Sequence, residues 1–429
     1  MKKIDDVKIL VFTVDCWNNT GANTMSSLFS WCKPENLANI YIRPGIPNYE
    51  GCGSYFQIDE NAVIKSIFNR KILTGRTIDS RCVLSVDDNG VNKFYKLRKN
   101  RPWLKLYARE FLWKVGKWQS DALNEFLKNF KPDVIVFAYE GLIHFNRLVR
   151  YAITFTGAKA IGYFWDDNFT YKQMPGNVGY YIYRFFQRKD IRKTVRMANA
   201  HFAITPKTKR ECDLFFGIES VLLTKPIKKA NNHVEGDYVI HKPIKMLYTG
   251  NLGIGRLDTL AIIAYEIKKA NEAGIQIVLD IYSNTEIPEG KFDKYKDSVF
   301  FHGAVSQDVV QALQEKADVL LFIEDITGNN KHIARLSFST KLTDYFSAGK
   351  CILAVADSEI APMEYLKSNG IAICAGNRAE VEDGIKKILN EKSELIALGN
   401  RAFDLGSKNH NEYMILETLQ CTIKNIIDK

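Results

Sequence analysis

Two stretches in the second half of this chain hold glycines, cations and hydroxyls at spacings suited to an anionic ligand. In YTGNLGIGRLDTL (248–260) a strand-like run ends at Gly250, Gly253 and Gly255 follow, and a helix is expected to start near Leu257 or Asp258. Glycine lets backbone approach an anion closely, and the unpaired N–H groups of a helix start attract negative charge. Arg256 stands where its guanidinium can fork onto a diphosphate. A glycine turn beside a solvated arginine would use the same residues. A dinucleotide fingerprint is a further reading, with Asp280 roughly where a ribose-binding acid belongs. The glycine order is G-x-x-G-x-G, however, and bulky Arg256 stands where helix–strand packing wants a small residue.

The second stretch is RLSFSTKLTDYFSAGKCILAVA (335–356). Ser339 and Thr340 are N-cap types, and Gly349 ends a short helix before a buried strand. Lys341 then falls in the first helical turn, where a cation opposes the macrodipole unless an anion joins it. Asp344 follows three residues later on the same face. Together they can hold a diphosphate and the hydroxyls of a neighbouring ribose; a plain surface ion pair would look the same.

A third feature is basic and aromatic. KLRKNRPWLKLYAREFLWKVGKW (96–118) and YYIYRFFQRKDIRKTVR (180–196) interleave Lys and Arg with Trp, Tyr and Phe. Such segments suit contact with an anionic membrane, though aromatics at helical spacing serve a core equally well. Residues 1–224 hold 34 Lys+Arg against 21 Asp+Glu, which leaves 25 against 28 in residues 225–429 of a chain of net charge +10. The basic excess is confined to the first half and suggests an anionic surface or substrate there. No nucleic-acid module accompanies it, and nucleic acid is not expected as a partner.

The elements that position these residues read as two doubly wound α/β units. Strand-like runs at 7–14, 133–139, 158–165 and 199–205 alternate with helical stretches. A second series follows at 244–250, 275–283, 297–303, 317–324 and 350–356. Continuous apolar strands between helices mean parallel sheets covered on both faces. The expected layout is a Rossmann-like domain at 1–224, a linker at 225–243 and a second Rossmann-like domain at 244–408. A helix at 409–429 is expected to pack back toward the first domain. Ligands of such sheets bind beyond the carboxyl ends of the strands, so two facing units would share a cleft.

Composition fits a globular protein of two or three domains, with 46% hydrophobic and 25% charged residues. The eight cysteines show no C-x-x-C pair or other metal-ligand spacing and read as reduced thiols of the cytosol. No apolar run approaches the roughly 18 residues of a membrane span, and MKKIDDVKILVFTV reads as a first strand rather than a signal peptide.

These motifs resemble those of the GT-B-fold glycosyltransferases, specifically the retaining, family-4-like enzymes of bacterial surface polysaccharide synthesis. The resemblance rests on 248–256, on F-H-G (301–303) with A-D-V-L-L (317–321), and on S-T-K-L-T-D-Y-F-S-A-G-K (339–350). It is weaker in the first half, at W-D-D (165–167) and A-I-T-P-K-T-K (203–209). It implies that Arg256 and Lys341 hold the donor's diphosphate and that Asp344 takes the place of a ribose-binding glutamate. The family's other acid, eight residues earlier, is here Leu336. Glu324, Asp325 or His332 would compensate in the stretch facing the sugar. Gly21 matches a glycine loop near the phosphates, and Asp166 or Asp167 stands where the family often has a histidine. A paired acid there can position an acceptor hydroxyl or accept its proton; an acidic turn is the plainer reading. His144, at another strand end, is a weaker candidate.

The expected activity is transfer of a sugar from a nucleotide-diphosphate donor to a hydroxyl of a glycan or lipid-linked glycan. It needs no cofactor and no metal, since the D-x-D motif of metal-dependent transferases is missing and Asp357-Ser-Glu359 is the nearest approach. A nucleotide-sugar 2-epimerase of the same fold and a non-catalytic GT-B subunit remain alternatives. The expected location is cytoplasmic, at the inner face of a membrane.

Overall fold

The computed structural model describes residues 3–18, 24–78, 102–173, 178–227, 238–328 and 330–429. Gly21, Cys82 and residues 96–101 lie outside the described residues, as does the side chain of Trp103.

Fourteen strands form two sheets among the described residues. The first holds β1 (Ile9–Thr13), β2 (Leu37–Tyr41), β3 (Ser54–Ile58), β4 (Gly75–Ile78), β5 (Val134–Ala138), β6 (Lys159–Phe164), β7 (Ala200–Ala203) and β8 (Val221–Leu222). Its order is β4-β3-β2-β1-β5-β6-β7-β8, parallel throughout except at the β3–β4 edge. The second holds β9 (Ile244–Thr249), β10 (Ile277–Tyr282), β11 (Val299–Phe301), β12 (Val319–Ile323), β13 (Cys351–Val355) and β14 (Ile373–Ala375), ordered β11-β10-β9-β12-β13-β14 and wholly parallel. In each sheet the order reverses beside the first strand, between β1 and β5 and between β9 and β12. Those switch points open a crevice at the carboxyl ends of the strands.

Sequence explains the central strands directly. β1, β5, β12 and β13 are buried at every position, as helices on both faces require. Glycines in the left-handed region end the helices at Gly157, Gly217 and Gly349.

The two halves touch through polar contacts as well as apolar ones. Arg335, 2% exposed, donates through Nε to Asp167 (2.8 Å) and forks through both terminal nitrogens onto Glu211 (2.6 and 2.7 Å). Ser337 Oγ donates to Asp166 at 2.8 Å, and Thr208 Oγ1 to the carbonyl of Leu336 at 2.6 Å. The helix Glu412–Ile427 packs on the short helix at 24–28 of the first half. Just ahead of it, buried His410 takes Lys225 O at 3.0 Å on Nδ1 and Tyr365 Oη at 3.1 Å on Nε2. Burial pushes its pKa down to about 4, so this joint stays neutral.

The aromatics of 96–118 divide differently from a membrane-facing segment. Trp113 and Trp118 are buried, and Trp113 stacks on His144 with ring centroids 4.5 Å apart. Trp113 belongs to the core because the helix Pro102–Val115 lays this side on the first sheet's cover, leaving Phe111 and Lys114 outside, and Trp118 is buried in the loop that follows. His144 is itself buried beside Glu110, at 3.1 Å, and is a structural residue.

Removing one partner of a buried ion pair strands the other charge. Arg335→Ala is therefore expected to destabilise the fold by about 3–5 kcal/mol, read as a shift in urea midpoint. A loss under about 1 kcal/mol, the range of an exposed pair, would contradict the clamp.

Candidate active site at the second switch point

The glycine loop and the Lys341 helix converge where β9 and β12 diverge. β9 ends at Thr249, β12 ends at Ile323, and Glu324 follows immediately. The helix Arg256–Ala270 starts one or two residues earlier than the sequence suggested, and Thr340–Ala348 starts beside it at the same carboxyl ends of the strands. Two helix N-termini thus face the space beyond β9.

Lys341 does not extend along its own helix. Its Nζ reaches back to Tyr248 Oη at 3.1 Å and sits 4.4 Å from the centroid of that ring. The lysine runs against Gly250, whose φ of +128° and missing side chain make room; a Cβ there would collide with Nζ. Arg256 forks onto Glu324, Nε to Oε2 at 2.9 Å and Nη2 to Oε1 at 3.1 Å. Thr259 Oγ1 holds the Glu324 carbonyl at 2.9 Å. Burial, then the neighbouring Arg256 charge, pushes Lys341 down to about 8, with Glu324 pulling the other way. Burial also disfavours the Arg256 charge, but Glu324 outweighs it and holds that guanidinium firmly protonated. The cluster has two cations and one carboxylate, and an anion would complete it.

The other expected donor residues fall around this centre unevenly. Gly255 has φ +82° and packs its backbone on the Asp325 carboxylate, so it needs to be glycine; Gly253 does not have a positive φ. Asp325 is committed to its own loop, accepting from the N–H groups of Thr327 (2.9 Å), Gly328 (2.9 Å) and Asn330 (3.2 Å). Burial opposes its charge, yet those bonds hold its pKa low, so the carboxylate is a loop anchor rather than a free sugar ligand. Ser339 occupies the N-cap without a side-chain cap bond, and Thr340 is the first helical residue. Asp344 is turned toward Gln307, Gln311, Gln314 and Glu315, with which it borders a small cavity. Gln314 Nε2 also reaches Thr249 Oγ1 at 3.4 Å, so this cavity adjoins the end of β9. Leu336 is fully buried. His332, Asp357 and Glu359 can bring one ligand atom each within 4.8 Å of one another. Lys331 Nζ, 3.6 Å from Asp357 Oδ2, already supplies positive charge there.

On the opposite side of the crevice stand the carboxyl ends of β5 and β6. Asp166 accepts from Ser337 Oγ and keeps partial exposure. Burial raises its pKa, moderated by that bond. Asp167 differs. It is wholly buried, takes Arg335 and both the N–H and hydroxyl of Thr170, and cannot meet a substrate. The pair expected at 166–167 is therefore one accessible acid and one structural acid.

Glu140 escaped the sequence reading. It lies two residues beyond β5, after Tyr139, and its carboxyl is pushed up to about 8, first by burial and then by the charge of Asp166, against the pull of Arg43. The signal was present as an acid immediately after the buried run DVIVFAY. Arg335 and Tyr248 were missed too, since their roles depend on contacts far along the chain.

No protein-family model matches this chain, and no curated protein matches it in sequence. Solved structures match it in shape. Anabaena HepE in complex with UDP superposes with a TM-score of 0.64 at 9% identity, covering 98% of this chain and 100% of that one. The alpha,alpha-trehalose 6-phosphate synthase from Burkholderia multivorans gives 0.59 at 10% identity, with 98% and 97% covered. The pneumococcal O-GlcNAc transferase GtfA in complex with UDP and GlcNAc gives 0.51 at 12% identity, with 72% and 60% covered. At such identities the likeness concerns architecture. Two Rossmann-like doubly wound domains face each other across a cleft, and the chain has the GT-B fold.

Proposed function

We propose that this chain is a glycosyltransferase that moves a sugar from a nucleotide-diphosphate donor to a hydroxyl of a glycan or lipid-linked glycan in cell-surface polysaccharide synthesis. The observation that carries the reading is the pair of cations, Arg256 and Lys341, gathered with two helix N-termini around one carboxylate. A departing diphosphate develops negative charge as the anomeric carbon becomes cationic. Fixed positive groups aimed at that charge, already desolvated, supply the main stabilisation without a metal. That structural neighbours carry UDP in their complexes supports a uridine donor as the first to test.

In this reading the donor diphosphate lies between the Gly250–Gly255 loop and the 340–348 helix. Asp344 meets the ribose from the cavity beside Thr249. Asp166 and Glu140, on the facing sheet, position the acceptor hydroxyl. Transfer is retaining, with the departing phosphate taking the acceptor's proton on the same face. The acceptor glycan is carried on a lipid where the chain meets an anionic membrane at the inner face of the cell.

Lys341 gives the site a pH signature. Its folded pKa is depressed to about 8, so the free protein loses this proton as pH rises through that value. An anion stabilises the ammonium form, so binding takes up a proton. Affinity is full below pH 8 and falls above it. Calorimetry with UDP in buffers of different ionisation enthalpy should detect that uptake, and Lys341→Met should abolish it. Uptake unchanged in Lys341→Met would assign the proton elsewhere.

Arg256→Ala and Lys341→Ala should each lower turnover about a hundredfold or more at saturating donor. Donor turnover without any acceptor, giving an epimerised nucleotide sugar, would instead identify an epimerase. Near-native turnover in both variants would refute the diphosphate assignment.

A further inference from the structure

The helix Val178–Val195 buries as many polar as apolar side chains: Arg184, Gln187, Asp190 and Thr194 lie inward with Tyr180, Tyr183, Ile191 and Val195. Those polar groups have protein partners there. Arg184 donates to Gln173 Oε1 at 2.7 Å, Asp190 accepts from Arg150 at 2.6 Å, and Tyr183 Oη reaches Gly141 O at 3.0 Å. The helix is thereby fixed in one rotation about its axis.

That rotation turns an apolar stripe to solvent. Val178, Tyr181, Ile182, Phe185 and Phe186 follow the i, i+3, i+4, i+7, i+8 pattern of a helical face, and all are exposed, Val178 at 72% and Phe186 at 53%. Large contiguous apolar faces on a surface mark an interaction site. The same face continues as Lys189, Arg192, Lys193 and Arg196, each exposed. The helix has one acid, Asp190, and it is buried and paired. The neighbouring helix Pro102–Val115, tied on by Tyr107 Oη to Gly179 O at 3.1 Å, adds exposed Phe111 and Lys114.

We infer that the outward face of this helix docks the chain on an anionic phospholipid bilayer, the apolar half entering the headgroup–acyl boundary and the cationic half meeting lipid phosphates. Charge separates this occupant from a second copy of the chain. Two such helices could match apolar on apolar only over 178–186, and the cations of 189–196 would then have no partner in the pair. An anionic lipid surface satisfies both halves at once. The placement also has a geometric sense. The apolar end begins just after the 165–173 segment at the cleft, where Gln173 Nε2 bonds Ile333 O of the second half at 3.1 Å. A lipid-linked glycan leaving the bilayer would emerge beside the proposed acceptor side. This last consequence rests on the proposed function; the docking does not.

The test is co-sedimentation of the full chain with vesicles of phosphatidylglycerol and phosphatidylcholine in equal parts, and with phosphatidylcholine alone. Binding to the anionic vesicles should weaken as salt rises. It should fall at least about tenfold in Ile182→Ser/Phe185→Ser/Phe186→Ser and in Lys189→Glu/Arg192→Glu/Lys193→Glu. These positions are exposed, so thermal unfolding should be unchanged, and transfer to a soluble acceptor should persist. That readout separates failure of docking from failure of the proposed transferase. Absence of pelleting at low salt would overturn the inference, as would pelleting indifferent to both variants. So would a dimer in sedimentation velocity that the serine variant abolishes while vesicle binding stays absent.

Discussion

An unbalanced positive charge at the carboxyl ends of two central strands is the constraint around which this molecule is arranged. Lys341 and Arg256 are both drawn back from solvent, and Glu324 is the carboxylate that faces the two of them. Desolvating a cation costs several kcal/mol unless a partner compensates. Arg256 has its partner in a bidentate fork. Lys341 has a phenol and an aromatic face, and its own chain fills the place a side chain at Gly250 would take. The fold sustains that arrangement because the pairing of β9 with β12 stops short of their carboxyl ends, where two helix starts and a glycine loop come together.

The second constraint is how the halves are held. Arg335 joins Asp167 and Glu211 across the interface, and the Ser337 bond brings Asp166 to the strand of chain that leads into the Lys341 helix. Accessible acids on the first sheet and cations on the second are thus linked by two residues of one connecting segment. A change in the separation of the halves must act on that segment. The structural use of Asp167 leaves Asp166 and Glu140 as the acids that face the crevice.

Much of this was legible in sequence. The central strands announce themselves as unbroken apolar runs, and the diphosphate candidates sit in local motifs where a glycine, a cation and a helix start are near neighbours. β2, β3, β4, β8 and β14 were not anticipated. Asn39 in β2 and Gln57 in β3 interrupt the apolar signature although both are buried, Asn39 Nδ2 bonding Val11 O at 3.1 Å. β4 is an antiparallel edge, and β8 and β14 are two or three residues long. Site residues divide along the same line. Lys341 and Arg256 could be proposed from local motifs, although their partners Tyr248 and Glu324 lie 93 and 68 positions away. Arg335 meets Asp167 from 168 positions away, and no local pattern could distinguish a buried Asp167 from an accessible Asp166. Trp113 and Trp118 fitted a membrane face and a core equally well in sequence, since aromatic–basic spacing alone does not say which side is inward; both are in the core.

The central claim is geometric, and a crystal structure of the chain with a bound nucleoside diphosphate tests it most directly. The account predicts diphosphate oxygens within hydrogen-bond reach of Lys341 Nζ and the Arg256 guanidinium, over the N–H groups that begin the 256–270 and 340–348 helices. A diphosphate bound elsewhere, with Lys341 still resting on Tyr248 and Arg256 turned wholly to Glu324, would contradict it.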